Sequence, residues 1–359
     1  LAGQGAINAV NIRQETISNI LVRSTNWIGD AVMTTPALRA IRESFPGARV
    51  TVLANSLVAP LFTVHGAVDD VIIYDRRGTH AGLGGKLRLA RELKARRFDL
   101  AILLQNAIDA ALIAWLGRIP RRMGYKTDGR GLFLTHGVPL DEKTRQLHHV
   151  EYYLTMLSRF GIDTGDRSLN LATTPSEDAS MAEYLRGHGI EKGDFLLGIN
   201  PGATYGAAKR WYPERFALVA ETLASRWGGK VVITGGGGER EIADEIERAL
   251  RGRCLNLAGR TTVRSLMAVI KRCNFFVTND SGPMHIAAAF DVPLVAIFGS
   301  TDNATTSPFS DRTSIVRSDV DCAPCLLREC PTDHSCMTGV LVEDVVNAAL
   351  ELRDKLVQE

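Results

Sequence analysis

The residues best suited to chemistry lie in three glycine-rich turns and one acidic turn. In VTNDSGPMHIAAAF (277–290) an apolar run ends near Thr278 and gives way to Asp280, Ser281, Gly282 and Pro283. Asp280 and Ser281 are expected to cap the helix that follows, and Pro283 suits its first turn. Gly282 allows close approach to the backbone. Such a helix start offers N–H groups and a favourable dipole to a pyrophosphate, with His285 about one turn further in. Asp280 would repel a phosphate, so it is assigned to sugar hydroxyls. The alternative is an ordinary capped helix after a buried strand.

The second turn is NPGATYGAAKRW (200–211). Gly202, Thr204 and Gly206 keep it small and open, and Lys209 and Arg210 add positive charge. Lys209 can neutralise a phosphate as its bond to a sugar breaks; the alternative is a surface turn with solvated cations. The spacing G-x-x-x-x-G-K-[ST] is absent, so this is not a P-loop. The third turn, TGGGGERE (234–241), puts four glycines after a strand, and Glu239 can accept both ribose hydroxyls. It lacks G-x-G-x-x-G, which argues against an NAD enzyme. In an open parallel sheet the three turns would converge beyond the carboxyl ends of their strands.

The acidic turn is RSTNWIGDAV (23–32), which places Asp30 at the start of a helix after the first strand. A helix N-terminus favours its ionised form, which could take a proton from an incoming hydroxyl. The alternative role is capping. Asn26 and Gly29 make the turn unusual, and Trp27 either lines an acceptor site or fills a core gap. Arg121, Arg122, Lys126 and Arg130 form a basic patch suited to a phosphorylated or carboxylated acceptor, or a solvated loop. His148 and His149 start a helix, where a structural role is expected. No H-E-x-x-H or G-x-S-x-G occurs, and the D-x-D of Asp319 and Asp321 is too short to carry weight.

Positioning these turns requires two α/β halves. Apolar strands alternate with helical segments in each, which implies parallel sheets covered on both faces. The reading divides the chain into a polar arm (1–18), a first Rossmann-like domain (19–174) and a second (175–340). A C-terminal helix (341–359) is a candidate to pack back on the first. The segment 121–141 reads as loops with short strands, and 163–178 as the linker. A length of 359 residues with 45% hydrophobic and 23% charged residues fits two soluble domains. The formal charge of +2 gives no sign of a nucleic-acid binder. No apolar run reaches membrane-spanning length and no signal peptide opens the chain, so a cytoplasmic location is expected.

RSTNWIGDAVMTTPALRAIRESFP, GINPGATYGAAKRW and TNDSGPMHIAAAFDVPLVAIFGST together resemble the bacterial lipopolysaccharide heptosyltransferases. Within that family the chain looks most like heptosyltransferase II. The likeness runs from about Asn19 to near the end. It implies an α/β GT-B fold, two Rossmann-like domains facing across a cleft. It also implies inverting transfer of heptose from ADP-heptose to a heptosyl-Kdo2-lipid A acceptor of the inner core. By the resemblance Asp30 is the base and Lys209 contacts donor phosphate. Asp280 holds the heptose, and Ser281, Gly282 and His285 face the pyrophosphate. Glu239 or Glu241 binds ribose, and Thr204 lies in the donor loop. Asn26, Trp27, Arg121, Arg122 and Lys126 face the acceptor. No cofactor is required, a monomer is expected, and the lipid acceptor implies peripheral contact with the cytoplasmic face of the inner membrane. The competing readings are heptosyltransferase I or III, a transferase using another nucleotide sugar, and a nucleotide-sugar binding protein without turnover.

One segment stands apart from that pattern. Cys322, Cys325, Cys330 and Cys336 follow C-x2-C-x4-C-x5-C, which could hold a structural zinc ion; reduced thiols or a local disulfide are the alternatives.

Overall fold

The computed structural model describes residues 17–358; the first sixteen residues of the expected polar arm lie outside them. The chain divides between Ala172 and Thr173 into two compact units, a little before the boundary read from the sequence.

The first unit is built on β1 (Asn19–Arg23), β2 (Arg49–Ala54), β3 (Asp70–Ile73), β4 (Leu100–Leu103), β5 (Arg121–Tyr125) and β6 (His136–Val138). They form one parallel sheet in the order β3-β2-β1-β4-β5-β6. The second unit is built on β7 (Leu196–Asn200), β8 (Lys230–Ile233), β9 (Leu255–Asn256), β10 (Phe275–Asn279), β11 (Leu294–Phe298) and β12 (Thr313–Arg317). Its sheet runs β12-β11-β10-β7-β8-β9. Counted from each unit's own first strand, both sheets have the doubly wound order 3-2-1-4-5-6. The α/β GT-B fold class is therefore what the chain adopts.

The central strands are mainly apolar, with Asn200, Thr278 and Asn279 at the ends of β7 and β10, and are buried along their length. β4 (LAIL), β7 (LLGIN), β10 (FFVTN) and β11 (LVAIF) have every residue buried, as parallel strands covered on both faces require. Order reverses between β1 and β4 in the first sheet and between β7 and β10 in the second. Ligands of such sheets bind beyond the carboxyl ends of these strands, which is where Asp30, Lys209 and Asp280 are carried.

One sequence expectation is met here and another changes. The short strands read within 121–141 are β5 (RRMGY) and β6 (HGV), joined by loops and a short helical turn. The C-terminal helix Val342–Gln358 packs on the helix Pro213–Trp227 and on β11 and β12 of its own unit. Its inward residues Val345, Ala349 and Leu352 belong to the second unit's core. That apolar face, expected to serve the first half, is spent on the second.

Candidate functional site

In the first unit the turn after β1 is held by a buried arginine that the sequence reading passed over. Arg23 ends β1 and is 2% exposed. Its guanidinium donates to the carbonyls of Ser24 (2.6 Å) and Leu53 (3.2 Å) and to Asn26 Oδ1 (3.0 Å). Burial lowers its pKa to about 10, which still leaves it charged at neutral pH. Asn55 Nδ2 donates to the Asn26 carbonyl at 3.0 Å. Asn26, assigned to an acceptor, therefore has its side chain engaged in fixing the turn. Trp27 is 50% exposed and fills no core gap.

Asp30 is the third residue of the helix Ile28–Met33, whose N-cap, Trp27, makes no side-chain capping bond. Its carboxylate lies beside His149, with Nδ1 to Oδ1 at 3.3 Å. His149 opens the helix His149–Ser158, 119 residues away in sequence. Both side chains are about one-third exposed, so the carboxylate is open to a ligand. The sequence supported only a structural role for His149; its place beside Asp30 depends on how this unit's helices pack.

The basic patch divides into two buried or bonded cations and two more open ones. Arg130 is fully buried and donates to the carbonyls of Tyr125 and Gln105 and to Asn106 Oδ1. Arg122 donates to the carbonyls of Phe133 and Ile119. These two cations brace β5 and its following turn. Arg121 is half-buried and Lys126 exposed.

In the second unit the three turns do converge, because β10, β7 and β8 are neighbours. A buried polar net ties their ends. Asn200 Nδ2 donates to Gly202 O and to Ser281 Oγ, each at 3.1 Å, and Asn200 Oδ1 accepts from Thr234 Oγ1 at 3.1 Å. Asn279 Nδ2 donates to Pro201 O at 2.6 Å, and its Oδ1 accepts from Trp211 N at 3.1 Å. Buried amides satisfied on both ends rigidify such a crossing.

On this base Lys209 Nζ lies 2.5 Å from Asp280 Oδ2, with side chains 13% and 5% exposed. The same oxygen accepts from Thr301 Oγ1 at 2.6 Å. Lys209 also sits 4.9 Å from the Tyr205 ring centre. The expected capping by Asp280 and Ser281 is not made: the helix Gly282–Ala289 has no side-chain cap bond at Ser281. The cation at Lys209 outcompetes a backbone N–H for the Asp280 carboxylate, and Ser281 is taken up by Asn200. Gly282 is half-buried at the start of that helix and His285 is buried within it. Thr204 is exposed on its loop.

Glu239 is 8% exposed and accepts from Gly236 N at 2.6 Å. A Cβ at Gly202 would lie 2.0 Å from Glu239 Cδ, so the glycine is what lets the carboxylate lie against the Lys209 loop. Glu241 is exposed in the first turn of the helix Arg240–Ala249. Of the two ribose candidates, Glu239 is the one joined to the convergent turns.

The zinc site expected at Cys322, Cys325, Cys330 and Cys336 is not assembled. Among the described residues no group of three or more His, Cys, Asp or Glu side chains could hold a metal ion. All four cysteines are free thiols; Cys322 and Cys325 are exposed, whereas Cys336 is buried and burial pushes its thiol up. Hydrogen bonds fasten the segment instead. Arg328 O accepts from Ala208 N and Ala208 O from His334 Nε2, each at 3.0 Å, and Leu326 O accepts from Tyr205 OH at 2.9 Å. A Cβ at Gly206 would lie 2.1 Å from Arg328 O. The cysteine-rich segment thus clasps the Lys209 loop through two backbone carbonyls and the His334 side chain.

A family model described as Glycosyltransferase family 9 (heptosyltransferase) matches residues 86–335. The chain is 31% identical over 309 residues to lipopolysaccharide heptosyltransferase 2 of Salmonella typhimurium, covering 83% of this chain and 87% of that one. It is 32% identical over 310 residues to lipooligosaccharide heptosyltransferase 2 of Haemophilus influenzae, covering 83% and 88%. Its structure is similar to that of E. coli ADP-heptose lps heptosyltransferase II, with a TM-score of 0.78, 26% identity and coverage of 94% and 99%. A glycosyl transferase family 9 structure from Veillonella parvula gives a TM-score of 0.87 at 26% identity, covering 97% and 100%.

Proposed function

The chain belongs to glycosyltransferase family 9 (heptosyltransferase), and from that premise we propose that it moves heptose from ADP-heptose to a heptosyl-Kdo2-lipid A acceptor, with inversion at the anomeric carbon. It is a heptosyltransferase of lipopolysaccharide core synthesis; the acceptor and the residue roles are the proposal. The observation that carries it is the Lys209–Asp280 pair at the carboxyl ends of β7 and β10. There a nearly buried cation and a nearly buried carboxylate share one small space, as a donor with both phosphate and hydroxyl groups needs.

The work divides between the units. Asp30 in the first accepts the proton of the attacking acceptor hydroxyl, and the His149 Nδ1–H orients the carboxylate. In the second, Lys209 offsets charge growing on the departing diphosphate. Asp280 accepts from heptose hydroxyls, Glu239 takes the ribose, and the helix start at Ser281 and Gly282 faces the pyrophosphate, with His285 behind it. Glu241, Thr204 and Trp27 complete the rims. Arg121 and Lys126 meet acidic groups of the acceptor, while Arg122 and Asn26 act by holding their turns. Displacement by one oxygen opposite the leaving phosphate gives inversion and calls for no cofactor. We place the enzyme in the cytoplasm, working as a monomer against the lipid surface that carries its acceptor.

The test is direct. Purified chain is incubated with ADP-heptose and either heptose-free or monoheptosylated Kdo2-lipid A. Gain of one heptose on the monoheptosylated acceptor is expected. Transfer only to the heptose-free acceptor would reassign the acceptor, and no transfer to either would sink the reading.

A further inference from the structure

The two units carry opposite charge. Residues 1–172 hold 22 Lys and Arg against 15 Asp and Glu, and residues 173–359 hold 20 against 25, so nets of +7 and −5 make up the chain's +2. Much of the first unit's excess lies on the helix Gly82–Arg96, beside exposed apolar side chains. Leu83, Leu87, Arg91 and Lys94 follow one another by four, four and three residues and so share one stripe. Leu83 is 80% and Leu87 45% exposed, while Leu89 and Leu93 on the opposite side are buried in the first unit's core.

The next helix repeats the arrangement. In Ile108–Leu116 the alanines at 110, 111 and 114 point inward, and Ile108 and Trp115 stand out, each 48% exposed. This helix packs on the 82–96 helix on one side and on the turn Arg130–Phe133 on the other. Trp115 meets the Phe133 ring at 5.6 Å, and Leu132 beside it is 90% exposed. Single apolar residues on a surface need no explanation. Five on three touching elements, edged by Arg88, Arg91 and Lys94, form a patch that does.

We propose that this face docks on an anionic lipid bilayer. Leu83, Leu87, Trp115 and Leu132 enter the headgroup boundary, and the cations beside them meet lipid phosphates. A tryptophan at the rim and long basic side chains are the groups that such an interface takes up. A second copy of the same face would set cation against cation, so a bilayer fits the charge better than self-association. Among the described residues no helix is long and apolar enough to cross a membrane, which leaves surface docking as the mode these helices can supply. Each helix follows a parallel strand, β3 or β4, so its N-terminal end, with Leu83 or Ile108, stands at the carboxyl end of the first sheet. The turn after β1 bearing Asp30 opens at that same end. The inference rests for its use on the lipid-linked acceptor proposed above; the docking itself is separable from transfer.

The experiment mixes the chain with vesicles of phosphatidylcholine alone or with phosphatidylglycerol, without donor or acceptor, and measures co-sedimentation at low and high salt. Binding to the anionic vesicles, weakened by salt, is expected. A triple variant R88E/R91E/K94E and a separate variant L83S/W115S/L132S should each bind about tenfold or more weakly, with unchanged thermal melting and unchanged transfer to a delipidated acceptor. Absence of binding to anionic vesicles, binding that both variants leave intact, or a dimer dissociated by the serine variant in place of vesicle binding would each overturn the proposal. Failure of the wild-type chain to use the delipidated acceptor would count against the transferase reading and leave the docking result standing.

Discussion

The carboxyl ends of the two sheets share one topology and are furnished differently. After β1 the first unit presents a single carboxylate with one imidazole neighbour, both about one-third exposed. After β7 and β10 the second unit presents a lysine and an aspartate nearly closed off from solvent, over a net of asparagine and threonine bonds. A group that must take a proton from an incoming molecule needs an open approach. A site that must hold a diphosphate against water gains from low exposure and fixed dipoles. The doubly wound sheet supplies the place, and the side chains after its switch strands supply the task.

That contrast can be broken most sharply at Asp30. Asp30→Ala should cut the transfer rate by about 10²–10⁴-fold while leaving ADP-heptose affinity unchanged by calorimetry. A rate within a few-fold of wild type would remove the base from the first unit. Next comes Lys209→Met, expected to lower kcat by about 10²–10³-fold. It also leaves Asp280 buried with Thr301 as its remaining bonded neighbour, so thermal melting should fall too. Unchanged kcat and donor affinity would end the assignment.

A third test concerns stability with pH. Burial, with Arg39 nearby, lowers the His65 pKa to about 4 from 6.5. The folded state then binds fewer protons than the unfolded chain between those values, so stability is full above 6.5 and drains as pH falls toward 4. The loss amounts to about 3 kcal/mol at 1.36 kcal/mol per pKa unit. His65→Gln should flatten this acid limb in urea melts of the first unit's signal and leave the second unit's curve alone. The smallest effect is expected at Gly202→Ala, which must displace Glu239. We expect a loss of about 1–3 kcal/mol in thermal or urea melts and weaker ADP binding by calorimetry.

Much of this was legible in sequence. The apolar central strands, the glycine turns after β7, β8 and β10, and the helix starts at Pro213 and Pro283 announce themselves because strand burial and turn chemistry are local. Asp30 and Lys209 were singled out by residue type and place. The pairings were not legible: His149 with Asp30 and Lys209 with Asp280 join residues 119 and 71 apart, and periodicity says nothing about which distant helix a strand end will meet. Arg23 and Arg130 were missed or misassigned because a buried arginine whose guanidinium is bonded to carbonyls looks, in sequence, like any surface cation. The cysteine spacing suggested an ion, whereas the helix Ser335–Thr338 turns Cys336 into the core.

The clasp of residues 326–334 over the loop 201–210 bears on how the protein is made. A ribosome delivers the loop more than a hundred residues before its clasp, so the nascent chain holds Tyr205, Ala208 and Lys209 with their later partners still unsynthesised. Competence to bind the nucleotide sugar should therefore be among the last properties acquired during translation, and chains stopped short of residue 326 should fold their first unit yet fail to retain the donor.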